Sequence, residues 1–359
     1  MFFKNKNGLS SFRKLDDIEM KILHIVEEFS KKNTSVVTVA NFYCKFNFND
    51  KRNNSIFSLK ALNIFNFYNF LKEKKVKVLH IHGMWKLKQI FFCLLAKILK
   101  IKIIIQPHGM LLDEAIQSGN YLKYIMKRFI IFFYKYLIIE IYFIAVTKEE
   151  FNSIKYFFKK SIVRLINNPF KSNYYVSKTT RKNFCYFGRI NEHKNLELII
   201  LSFIKAQTDK NWKFLIYGIS EDKKYYNKLK MIIKKNNYQK KIIFKKPIFK
   251  DNLKFKAMSQ SSYNIIMSKS EILNLSILES LSLGTKVIVN KMIKYPKELS
   301  KLIIFSQPDV INLSKKIHKL TKEKNNNFFD KKKLQKKFLK NYNLNKIEVE
   351  YLKFLNNII

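Results

Sequence analysis

Short apolar segments of strand length alternate with longer segments of helical character along this chain, and the alternation runs twice. In the first half the strand-like segments fall at residues 21–26, 76–82, 102–106, 142–146 and 162–166; in the second they fall at 183–187, 212–217, 241–244, 263–267, 286–289 and 302–305. Strands that lie parallel need a crossover long enough to hold a helix, so each half reads as a parallel sheet wrapped by helices. A chain of 359 residues is long enough for two such α/β units, each with its own core. The boundary is expected from Asn167-Asn168-Pro169-Phe170 to Lys182, a turn-forming and polar stretch. The expected organisation is an extension over 1–19, a first domain over 20–168, a second over 169–340 and a final helical segment over 341–359. Parallel sheets bind ligands at the carboxyl ends of their strands, so two units in tandem predict a cleft between them.

Two charged clusters stand where a strand gives way to a helix. Gly188-Arg189-Ile190-Asn191-Glu192-His193-Lys194 follows the 183–187 strand, and Ser270-Glu271-Ile272-Leu273-Asn274-Leu275-Ser276-Ile277-Leu278-Glu279 follows the 263–267 strand and stops near Gly284. Fixed cations suit a leaving group that gains negative charge as its bond breaks, because they stabilise the transition state more than the ground state. Arg supplies a planar fork and Lys a point charge, and both fit phosphate oxygens. Carboxylates instead suit surfaces rich in hydroxyls. On one helix, residues eight apart would sit about 80° apart, so the glutamates do not form a single face. Their spacing fits a strand ending at Glu271, a tight loop over 273–275 and Glu279 one turn into the next helix, whose start offers amides to a ligand. Ser276-Ile277-Leu278-Glu279 also reads as a capping box, in which Glu279 merely returns to the cap amide.

The order and setting of these residues resemble the donor site of a family 4 glycosyltransferase of the bacterial surface-polysaccharide type. The resemblance implies a GT-B fold, two Rossmann-like parallel-sheet domains facing a central cleft, and transfer from a nucleotide sugar, UDP- or GDP-linked, with retention of anomeric configuration. It assigns Arg189 and Lys194 to the departing diphosphate, Glu271 with Gly188 and the Leu273, Asn274, Leu275 and Ser276 segment to the donor and its sugar, and Glu279 to the ribose hydroxyls. It also implies that the helix over 344–355 packs back onto the first domain. No two aspartates flank a single residue, so the Asp-x-Asp metal motif of the other large glycosyltransferase fold is missing and neither metal nor cofactor is expected.

The first domain carries a second cluster. Ile81-His82-Gly83-Met84-Trp85 and Gln106-Pro107-His108-Gly109-Met110-Leu111 each follow a strand and set a histidine beside a glycine, where the backbone can turn sharply. His-Gly-Met-Leu after a strand is similar to the acceptor-side loop of many bacterial family 4 enzymes. By that likeness His108 reaches the transferred sugar while His82 and Trp85 line the acceptor path. His82 also reads as a structural strand-end histidine, the reading its position favours, and Trp85 reads equally as core. Thr147-Lys148-Glu149-Glu150 resembles the family's Thr-x-x-Glu, whose glutamate is read as structural. Two departures stand out: 27–34 lacks the usual glycine-rich loop, offering Asn33 and Thr34 instead, and Asn274 occupies the position after the first glutamate where glycine or proline is usual. The stretch from 44 to 75 is short for this domain.

Seventy Lys and Arg against 26 Asp and Glu give a net charge of +44. The lysines are spread along the chain with abundant Asn, Ile, Phe and Tyr, as an AT-rich genome supplies, and no nucleic-acid motif accompanies them, so no nucleic-acid partner is expected. Attraction to an anionic membrane surface survives that discount. The 120–144 region supports it, with Lys123, Lys127 and Lys135 forming a narrow polar stripe on a helix otherwise apolar, which fits either a membrane surface or a buried helix. The longest apolar run, 90–96, has seven residues, far below the ~20 of a membrane span. Cys44, Cys93 and Cys185 show no paired spacing, which speaks against zinc or disulfides and for a reducing compartment. The expected protein is thus a cytoplasmic, membrane-peripheral glycosyltransferase acting on a growing, lipid-linked glycan of lipopolysaccharide or capsule. The alternatives are a basic nucleic-acid-binding protein and a decayed glycosyltransferase fold kept for binding.

Overall fold

The computed structural model describes residues 20–27, 35–46, 53–60, 63–138, 140–171, 176–323 and 328–359. The polypeptide forms two compact units, one of residues 1–169 with 345–359 and the other of residues 170–344. The 1–19 extension and most of the 27–34 loop lie outside the described residues.

In the first unit, β1 (Met20–Val26), β2 (Asn53–Ser58), β3 (Val78–His82), β4 (Lys102–Gln106), β5 (Ile141–Ala145) and β6 (Ile162–Leu165) form one sheet in the order β2-β1-β3-β4-β5-β6. Every pairing in it is parallel. Alternate residues of a strand face opposite sides. Leu23, Ile25, Leu79, Ile81, Ile103 and Ile105 therefore enter one core, with Phe92 and Cys93 of the Leu87–Ile98 helix. His24, His80, His82 and Gln106 are buried on the other side, all at 1% exposure or less. β2 is a strand the sequence pattern missed: two Asn and two Ser surround Ile56 and Phe57, and among the described residues the strand pairs only with β1, at the sheet edge. With the Ile64–Glu73 helix after it, the described part of the stretch between 44 and 75 holds one strand and one helix.

In the second unit, β7 (Arg181–Phe187), β8 (Lys213–Tyr217), β9 (Ile242–Lys245), β10 (Ser261–Ile266), β11 (Lys286–Asn290) and β12 (Ile304–Ser306) form a second parallel sheet in the order β12-β11-β10-β7-β8-β9. All six residues of β10 are buried, as helices on both faces require of a central strand. Of the helices, Tyr121–Leu137 is capped by Asn120, whose side chain accepts from the Lys123 N–H. The Leu344–Asn356 helix supplies the first unit with Tyr351, whose hydroxyl lies 3.1 Å from His80 Nδ1, and with Phe354, edge-on to Tyr142. No described helix is long and apolar enough to cross a membrane. Cys44, Cys93 and Cys185 are free thiols.

Candidate active site

The second unit gathers its charged residues at the carboxyl ends of β7 and β10. β7 ends at Phe187, and Gly218 allows a close backbone crossing there: a Cβ built on Gly218 would run into the Gly188 carbonyl oxygen. Beyond it, the Tyr186 hydroxyl donates to the Arg189 carbonyl at 2.7 Å and fixes the turn. The short 3-10 turn Glu192–Lys194 is capped by Asn191, which accepts from the Lys194 N–H at 3.2 Å. Asn195 then adopts a left-handed backbone, φ 55°, before the Leu196–Lys205 helix begins.

Lys194 is 9% exposed, and its ammonium pairs with Glu271 Oε1. The same oxygen accepts from the Ser268 hydroxyl at 2.9 Å and from the Asn274 amide at 3.1 Å. Backbone contacts stitch the two loops together. The Lys269 N–H donates to the His193 carbonyl at 2.9 Å, and His193 Nε2 lies 2.8 Å from the Ser270 carbonyl. Arg189 is half exposed and lies 3.3 Å from Glu221 Oε1, while the Asn191 amide holds the other oxygen of Glu221 at 2.8 Å. Arg189, Lys194 and Glu271 thus share one pair of loops, with an exposed guanidinium beside a nearly buried ion pair.

Three sequence expectations need correction here. Glu271 does not end a strand, because β10 stops at Ile266 and Glu271 sits in the following loop. Leu275 is the first residue of the Leu275–Ser282 helix, and that helix is capped by Asn274, which accepts from the Ser276 N–H at 2.9 Å. Ser276 therefore does not cap, and Glu279, five residues into the helix, is not part of a capping box. Asn takes the place of a helix-breaking residue because its side chain satisfies a free amide at the helix start. The Ser276 hydroxyl is turned inward, accepting from the Asn264 amide at 3.0 Å, and the Leu273 and Leu275 side chains are buried, so these three present backbone rather than side chain.

Glu279 stands apart. It is buried and accepts from the Lys254 ammonium at 2.5 Å, and burial raises its pKa against the opposing pull of Lys254. Among the described residues, no hydrogen bond or ion pair joins Glu279 to Arg189, Lys194 or Glu271. Lys254, Glu221, Asn191 and Ser268 were not singled out in the sequence. Lys254 comes from the separate Asp251–Gln260 helix, and nothing in linear spacing ties it to Glu279.

The first unit holds His82, Trp85 and His108. His82 is 1% exposed at the end of β3, with Nδ1 3.1 Å from His108 Nε2, so it does not line an open path. Trp85 is half buried against the sheet core, with Lys127 Nζ 5.9 Å from its ring. His108 and Gly109 are the central residues of a turn closed by the Met110 N–H donating to the Pro107 carbonyl at 3.2 Å, and both have left-handed backbones, φ 53° and 84°. A positive φ costs a histidine energy that the surroundings must offset. Glu150 supplies the hold: fully buried in the Lys148–Phe157 helix, it accepts from the Gly109 N–H at 2.6 Å and the Val146 N–H at 2.7 Å. Its burial pushes its pKa up to about 7, while burial lowers His108 to about 3 and keeps that ring neutral.

Residues 168–342 match the model of a family described as Glycosyl transferases group 1. Among solved structures, the chain is similar to HepE from Anabaena in complex with UDP and glucose, at 12% identity and a TM-score of 0.73 over 94% of this chain and 100% of that one. It is similar to a glycosyltransferase from Rickettsia africae, at 15% identity and a TM-score of 0.71 over 95% and 98% of the two chains. A third likeness is to sucrose-phosphate synthase from Thermosynechococcus elongatus, at 12% identity and a TM-score of 0.70 over 94% and 98%. No curated protein sequence matches. The fold is α/β of the GT-B type, with two parallel six-stranded sheets and their helices.

Proposed function

We propose that the chain is a glycosyltransferase that takes a sugar from a nucleotide-sugar donor and passes it to a hydroxyl of a glycan. The observation that carries the reading is the Lys194–Glu271 pair, held at the ends of β7 and β10 by Ser268, Asn274 and the His193–Ser270 contact, with Arg189 exposed beside it. A departing nucleoside diphosphate gains charge as the glycosidic bond breaks. Arg189 meets it with a guanidinium open to ligand, and Lys194 with an ammonium already oriented by its carboxylate partner. Glu271, with the 273–275 backbone, takes the sugar hydroxyls, and Glu279 with Lys254 takes the ribose. In the first unit, His108 is a neutral ring that suits a sugar hydroxyl. UDP and glucose in the HepE structure support a nucleotide sugar as the donor class.

The finer reading is a family 4, metal-independent, retaining transfer in assembly of lipopolysaccharide, capsule or another surface polysaccharide. The acceptor is lipid-linked and the enzyme works on the cytoplasmic face of the membrane. Support comes from the Tyr121–Leu137 helix, which exposes Tyr121, Leu122, Met126, Phe129, Phe132 and Tyr136 along with Lys123 and Lys135, while the Lys127 ammonium is held by the Ala115 and Ser118 carbonyls. Aromatic and aliphatic side chains interleaved with cations suit an anionic lipid surface.

Calorimetric titration of the full chain with UDP, UDP-glucose and GDP-mannose tests the donor reading, with hydrolysis of each sugar as the activity readout. Arg189→Ala is expected to weaken diphosphate binding about tenfold with melting unchanged, because an exposed side chain carries little of the fold. Lys194→Ala is expected to lower turnover at least about a hundredfold. It also strips Glu271 of its cation, so Lys194→Ala/Glu271→Gln is melted beside it. Nucleotide binding and turnover that stay at wild-type level in both Arg189→Ala and Lys194→Ala would refute the reading.

A further inference from the structure

The polar face of the first sheet carries a buried group that the proposed reaction leaves without a role. β1 and β3 pair with His24 opposite His80, and the two-residue repeat sets His82 on the same side. All three rings are buried, Tyr43 and Tyr351 pack over them, and one ring nitrogen from each lies within 4.8 Å of the others. Burying three imidazoles where apolar residues would pack costs energy unless their nitrogens are satisfied. Burial lowers His24 to about 3 and holds His80 and His82 well below the ordinary range, so each ring carries a single N–H.

Three of the histidines make a continuous line. His24 Nδ1 lies 3.2 Å from His82 Nε2, and His82 Nδ1 lies 3.1 Å from His108 Nε2. A neutral His82 has one N–H and one lone pair, so the two contacts must point the same way. In one direction His24 donates to His82, His82 donates to His108, and His108 is left with its hydrogen on Nδ1. In the other, the hydrogens run inward and His108 Nδ1 becomes a bare acceptor. The two differ at the buried end. Among the described residues His24 Nε2 is a buried atom with no hydrogen-bond partner, and it is a lone pair in the first arrangement but an unmet N–H in the second. An orphaned buried donor is the rarer and costlier case.

We infer that His24 and His82 are positioning residues that fix His108 as the Nδ1–H tautomer, so that His108 serves the site as a hydrogen-bond donor to a ligand oxygen. The role of that donor rests on the function proposed above; the tautomer does not. No proton moves along the line. Its effect is to give one ring, on a left-handed turn held by Glu150, a single hydrogen-bonding identity.

Long-range proton–nitrogen correlation spectra of the full chain, with histidine nitrogens labelled, read each tautomer without any substrate. His108 and His82 are expected as Nδ1–H forms. His24→Phe removes the end donor and is expected to leave His108 a mixture, with kcat for nucleotide-sugar hydrolysis down roughly tenfold to a hundredfold and KM for the donor unchanged. His24→Asn, whose side-chain amide puts a donor near the former Nδ1, is expected to restore both. An Nε2–H form or an equal mixture at His108 in the wild type overturns the inference, and so does a stoichiometric metal ion on His24, His80 and His82 in the purified chain. Should the variants fail to fold, the wild-type spectrum alone decides. An Nδ1–H ring in a chain that turns over no nucleotide sugar leaves the tautomer standing and removes the enzyme reading.

Discussion

Glu150 shows how a fully buried carboxyl can hold a strained turn through the backbone. Its two oxygens accept from Gly109 and Val146, tying the His108 turn to the start of the Lys148–Phe157 helix. Burial raises its pKa from the ordinary 4.5 to about 7, and the two backbone hydrogen bonds offset only part of that. A carboxyl whose pKa is higher in the folded chain binds its proton more tightly there than in the unfolded one. Its contribution to stability is therefore fully present below about 4.5 and is lost as pH rises through about 7. Glu150→Gln cannot titrate, so the part of the melting curve's pH dependence between these values is expected to vanish in thermal scans across that range. The amide also turns one acceptor into a donor against a backbone N–H, an added cost of about 1–3 kcal/mol. A wild-type pH dependence retained in the variant assigns that dependence elsewhere.

At the scale of elements, the second unit is held by how its last long helix meets the helix of Glu279. The Leu275–Ser282 helix stops at Leu283, and Gly284 follows with φ +70°, its N–H donating to the Leu281 carbonyl. A Cβ there would fall 2.3 Å from the Lys331 carbonyl oxygen in the Phe328–Asn341 helix. That helix has little freedom to withdraw. The Lys331 ammonium, 1% exposed, donates to the carbonyls of Ser259 and Ser261 at 2.5 and 2.9 Å, and burial lowers its pKa to about 8. Gly284→Ala is expected to cost about 2–4 kcal/mol, from a left-handed alanine plus a displaced backbone. The check is a lower urea midpoint at unchanged slope. Glycine at this position stops the helix, as the sequence suggests, but the size of the loss comes from Lys331, which lies 47 positions later in the chain.

For the molecule as a whole, a net charge of +44 sets how it meets anionic surfaces before any contact forms. Long-range attraction of that kind fades as salt shortens its reach to about 8 Å at physiological strength, whereas insertion of apolar side chains does not. Co-sedimentation with anionic phosphatidylglycerol vesicles is expected to fall with rising salt to a residual level. Phe129→Ser/Phe132→Ser, changing two exposed rings of the Tyr121–Leu137 helix, is expected to remove the residual part and leave the salt-sensitive part. Equal residual binding in that variant would exclude the helix as the lipid contact.

What the sequence determined by itself is the architecture, because strands buried in a parallel sheet are rich in apolar residues and stand out as short runs, even where one face carries histidine, serine or asparagine. β3, β4, β7 and β10 are legible for that reason, whereas the edge strand β2, with its asparagines and serines, is not. Residue types at strand ends were legible too: Arg189, Lys194 and Glu271 do share one pair of loops. The tertiary structure alone decided their partners. Lys194 meets Glu271 77 positions away, Lys254 meets Glu279 from another helix, and Asn274 displaces Ser276 as the cap. His80 and His82 share a face by spacing alone, but His24 joins them only through the register of β1 on β3. Periodicity is a local property that a chain carries in its order of residues; hydrogen-bond partners depend on which distant segments the sheet brings side by side.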